Sequence, residues 1–107
     1  MSEFIDLAGA SGAHYRFHRV PDVDELPAIA GNFVYVRGAQ PDLALVCAGT
    51  GESLSVARKR WAEAVRDHGA EALYVRRNVS RRSRQVEHQD IVANLHPPID
   101  AGEAFGD

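Results

Sequence analysis

The chain has 107 residues, 45% hydrophobic and 25% charged, the balance of one ordinary globular domain. Its formal net charge of -3 excludes a uniformly basic nucleic-acid binder, and the apolar-rich stretches Leu43 to Ala48 and Ile91 to Leu95 fall far short of the ~20 residues that a membrane span needs. The single cysteine, Cys47, excludes an intramolecular disulfide, and the opening MSEFIDLAGASG has neither a basic leader nor a signal-length apolar stretch, so a cytoplasmic setting without a membrane partner is expected.

Residues 1–13 are rich in Gly, Ala and Ser, and 101–107, AGEAFGD, are small and acidic. Both ends are expected to be flexible, leaving one domain over 14–100. His14 to Val20 alternates Tyr15 and Phe17 against polar neighbours, a strand pattern that Pro21 ends. Asp22 to Ala30 is read as a connector. Asn32 to Arg37 and Leu43 to Cys47 are β-branched and aromatic-rich runs joined by a loop, which predicts a β-hairpin.

After a glycine-containing turn, Ala48 to Gly51, the spacing of Leu54, Val56, Ala57, Trp61, Ala64 and Val65 predicts an amphipathic helix from about Ser53 to His68, capped by Gly69. Trp61 is read as core and not as a base-stacking platform. A short strand, Ala72 to Val75, follows. Asn78 or Ser80 then caps a second helix that ends before His96-Pro97-Pro98. The fold class expected is α+β, a small, mostly antiparallel sheet of three to four strands flanked by two main helices.

Charge is unevenly placed along this order. Nine of the twelve basic residues lie between Ser55 and Arg84, against three acidic ones, a local balance of +6. Arg58, Lys59, Arg60, Arg76, Arg77, Arg81, Arg82 and Arg84 are therefore the candidate contacts to phosphates. On the second helix His88 shares a face with Ile91, Val92 and Leu95, while Glu87 is rotated by about 100° from it. His88 is a candidate metal ligand or a hydrogen-bonded core histidine. Cys47 closes an apolar strand and is read as buried and inert.

Several segments resemble the GIY-YIG endonuclease superfamily, in particular its small bacterial stand-alone domains. Gly31-Asn32-Phe33-Val34-Tyr35 is similar to the first strand and its tyrosine, and Leu45 to Leu54 to the second strand and the turn after it. Trp61-Ala62-Glu63-Ala64 and Gly69-Ala70 match a bacterial subgroup, and the segment from His88 to Asp100 resembles that subgroup's ending. The resemblance covers about residues 31 to 100. It implies a GIY-YIG-like fold and a divalent-metal-dependent endonuclease acting on DNA or another nucleic acid. Tyr35 would aid activation of water, Arg58 would steady the phosphate, and His88 or Glu87 would hold one Mg²⁺, Mn²⁺ or Zn²⁺ ion.

The sequence departs from the family where the chemistry sits. His88 occupies the slot of the metal-binding glutamate, with Glu87 one residue early; Asp100 replaces an asparagine; and Arg58 falls one residue late. An active nuclease and an inactive relative acting as a nucleic-acid-binding or protein-interaction module are both compatible with the pattern.

Overall fold

A computed structural model describes residues 3–104: β1 (Phe4–Ala8), β2 (His14–Val20), β3 (Gly31–Arg37), β4 (Ala44–Gly51), α1 (Trp61–His68), β5 (Ala72–Arg77), α2 (Arg81–Leu95) and β6 (Ile99–Ala104). The strands form one sheet in the order β1-β2-β5-β3-β4-β6, antiparallel throughout except that β4 and β6 run parallel. The α+β class is as expected, but the sheet is mixed and has six strands, where three to four were expected. No helix among the described residues is long and apolar enough to cross a membrane.

Of the two additional strands, β1 lies in a segment expected to be flexible, and β6 runs from the end of the expected domain into the tail expected to be flexible. In β1, Ile5 and Leu7 point into the core while Asp6 points away, so a period-2 pattern outweighs the small residues that follow it. β6 buries Ile99 and pairs from Cys47↔Ile99 to Gly51↔Ala104 along β4. The remainder of the expected tail, residues 105–107, lies outside the described residues, as do residues 1 and 2 of the expected N-terminal segment.

β3 and β4 form the expected hairpin, but β4 runs on through Gly49-Thr50-Gly51, the segment expected to turn. Gly49 pairs with Phe33, and a Cβ there would lie 2.4 Å from the Phe33 ring. This glycine makes room for an aromatic ring inside the sheet and does not open a turn.

The expected helix from Ser53 to His68 is also interrupted. Leu54–Val56 forms a single 3₁₀ turn capped by Ser53, and α1 starts only at Trp61. In a continuous helix the Ala57 carbonyl would accept from the Trp61 amide. Here it accepts from the Tyr35 hydroxyl, and Trp61 N–H turns to Arg58 O at 3.0 Å. A buried side chain thus takes a backbone acceptor and breaks the helix. At the far end Gly69, at φ 69°, closes α1 in the left-handed conformation, as its sequence position predicts. Ser80 caps α2, its hydroxyl accepting from Ser83 N–H at 3.2 Å.

Side chains alternate across the sheet and divide the core in two. Phe33, Tyr35, Cys47, Leu73 and Ile99 pack with Leu54, Ala57 and Ala64 on the α1 side. Ile5, Leu7, Phe17, Val34, Val36 and Tyr74 pack with Ile91 on the α2 side. Each large side chain removed from water contributes about 1.5–3 kcal/mol. The sheet therefore stands between the two helices.

Candidate nucleic-acid interface

Tyr35 is fully buried, its ring edge-on to Trp61 with centroids 5.2 Å apart. Trp61 is half-buried against the same cluster, as a core residue. Burial, with Cys47 adjacent, raises the Tyr35 hydroxyl well above its ordinary value. Burial also pushes the Cys47 thiol up to about 12, so it is protonated and inert at neutral pH. Tyr35 serves as a structural clamp on Ala57. Tyr35→Phe is expected to cost about 1–3 kcal/mol by leaving that carbonyl unsatisfied, read as a lower midpoint in urea unfolding. A tyrosine acting only on water would leave the midpoint unchanged.

Arg58 belongs to the same side of the sheet. It is exposed and forms a surface ion pair with Asp24 of the connector. His88 and Glu87 lie on α2, across the sheet from Tyr35. His88 is buried and its Nε2 lies 2.7 Å from Asp100 Oδ1. Glu87 is turned to Arg76, with Oε1 2.8 Å from Nε. The four residues expected to act on one phosphate are divided between two faces, Tyr35 and Arg58 on one, His88 and Glu87 on the other.

The donor set does not fit a resident divalent ion. Glu87 is engaged by a guanidinium, and His88 and Asp100 leave only one nitrogen and one carboxylate together. Among the described residues no three His, Cys, Asp or Glu side chains are gathered to hold a metal. Asp90, within the family-like ending, is spent on structure. It accepts from Ser11 N–H at 2.8 Å, Ser11 Oγ at 2.6 Å and Tyr15 Oη at 2.7 Å, and so ties the β1–β2 turn to α2. Hydrogen bonds from Ser11, then from Tyr15, hold its carboxyl below the ordinary value.

The arginines also separate into classes. Arg84 is 2% exposed, which removes it from any surface. Its Nη2 donates to Glu103 at 2.9 Å and Nη1 to the carbonyls of Val79 and Asn78. Thr50 donates to the other oxygen of Glu103, and Asn32 Nδ2 donates to Arg84 O at 3.0 Å. Sequence reasoning missed this network, although one signal was present: Arg84 precedes His88 by four residues and so shares its inward face. Its acidic partner lay in a tail read as flexible.

Arg60 is held by Glu63 through two hydrogen bonds of 3.0 and 2.8 Å. Arg76 is held by Glu87, and Lys59 is exposed. Arg77, at the end of β5, and Arg81 and Arg82, in the first turn of α2, are all exposed. None of the three forms a salt bridge among the described residues. These exposed guanidinium groups flank the β5–α2 corner, Arg77 on the face of His18 and Pro27, and Arg81 and Arg82 on α2.

No protein-family model, curated protein sequence or solved structure matches the chain.

Proposed function

We propose that the chain is a GIY-YIG-like domain that binds nucleic acid without cutting it, with Arg77, Arg81 and Arg82 making the phosphate contacts. The carrying observation is the corner between β5 and α2, where Arg77, Arg81 and Arg82 are exposed and form no salt bridge among the described residues. The order hairpin, arginine-bearing helical segment, strand, helix supports the family reading. The division of Tyr35 and Arg58 from His88 and Glu87 by the sheet supports binding without hydrolysis, because positioning is what such catalysis requires.

The test is a fluorescence-anisotropy titration of a labelled oligonucleotide, with a denaturing gel run on the same samples in Mg²⁺ or Mn²⁺. R81A/R82A is expected to weaken binding about tenfold or more and to make the slope of log K against log salt shallower by about 1.4, the single-strand value for two contacts, with the strand intact throughout. Unchanged binding in the double variant would remove the corner from the interface. Strand cleavage abolished by His88→Ala or Glu87→Ala would restore the nuclease reading.

A further inference from the structure

The cover on the α1 side of the sheet is incomplete. α1 packs over β4, and Val23, Leu26 and Ile29 of the connector close over the same cluster. Beyond them β1 and β2 turn Phe4, Arg16 and His18 outward. Phe4 is 42% exposed and is the direct cross-strand partner of His18, with ring centroids 6.5 Å apart. The Arg16 guanidinium lies 3.9 Å from the Phe4 ring centroid, and both its hydrogen bonds go to Asp6, so that carboxylate is already neutralised. Beside this ring pair opens a cleft of about 520 Å³, bordered by Arg16, His18, Pro27, Val75 and Arg77.

The cleft combines the flat His18 ring and the apolar Pro27 and Val75 with arginines, Arg77 among them. A duplex presents phosphates outward and keeps its base faces stacked inside, so rings at this position offer it nothing to stack on. A single strand presents both phosphates and free base faces, and stacking tolerates any sequence. We infer that this cleft seats an unpaired base of single-stranded nucleic acid, stacked on His18 with Pro27 opposite, its phosphate held by Arg77. The inference rests on the nucleic-acid reading above and narrows it to single strands.

A labelled twelve-nucleotide oligothymidine and a twelve-base-pair duplex, titrated by anisotropy at low salt, separate the two levels. His18 is exposed, so His18→Ala keeps the fold. It is expected to weaken oligothymidine binding about tenfold and leave duplex binding unchanged, with His18→Trp restoring the affinity. Equal losses for both ligands, or no loss for the single strand, overturn the stacking cleft. If the wild-type protein binds both ligands and only R81A/R82A weakens them, the cleft fails and the corner stands. If the wild-type protein binds neither, the nucleic-acid reading fails and the cleft with it.

Discussion

Arg84→Met is expected to lower the unfolding free energy by about 3–5 kcal/mol, because it strands the buried Glu103 carboxylate without its cation. The pair is closed to water, Arg84 at 2% and Glu103 at 9% side-chain exposure. The reference is the double variant Arg84→Met/Glu103→Leu, which removes both charges and is expected to recover most of the loss. Urea unfolding at pH 7 reads both. A loss below about 1 kcal/mol in the single variant would show that the ion pair is open to solvent.

The same pair sets an acid limit. Burial raises the Glu103 carboxyl, but hydrogen bonds from Thr50 and Arg84, with the attraction of Arg84 and Arg81, outweigh it, and the group lies below its ordinary value of 4.5. A lowered folded-state value contributes stability that is present above 4.5 and lost as the pH falls through the folded value. Stability should accordingly fall with acidification below about pH 4.5, and less steeply in Glu103→Gln.

A chain ended at Pro98 is expected to lose cooperative folding altogether. The missing strand removes Ile99 from the core and exposes the outer edge of β4 from Cys47 to Gly51. It also takes Asp100 from His88 and Glu103 from Arg84, leaving a buried guanidinium without a counter-charge. Near-UV circular dichroism during thermal unfolding should show no sharp transition. A retained cooperative transition would mean that β6 is an appendage and that the fold is complete at α2.

β6 was illegible for a physical reason. Its sequence, Ile99 to Ala104, holds one large apolar residue, and its stability comes from a parallel partner some fifty residues away and from a buried charge pair, neither of which leaves a local pattern. The hairpin was legible because β3 and β4 carry their own β-branched and aromatic runs. Gly69 was legible as a cap, and Ser80 as one of two candidates with Asn78, because caps act within one turn. The break in the helix before Trp61 was not, since it depends on Tyr35 reaching across from another element.

The candidate site divided along the same line. Helical offsets correctly turned His88 inward, but they give no information on which side of the sheet α2 packs. That choice, fixed by Ile91 meeting Ile5, Leu7 and Val34, separates His88 from Tyr35. Charge counting located the basic segment without distinguishing buried Arg84 and the carboxylate-paired Arg58, Arg60 and Arg76 from the exposed Arg77, Arg81 and Arg82.

The most direct measurement is the affinity of the wild-type protein for a labelled oligonucleotide across a series of salt concentrations. Binding whose log K falls with log salt at a slope of about -2, the value for about three phosphate contacts on a single strand, is the expected result. Absent binding, or binding indifferent to salt, would contradict nucleic-acid recognition through Arg77, Arg81 and Arg82.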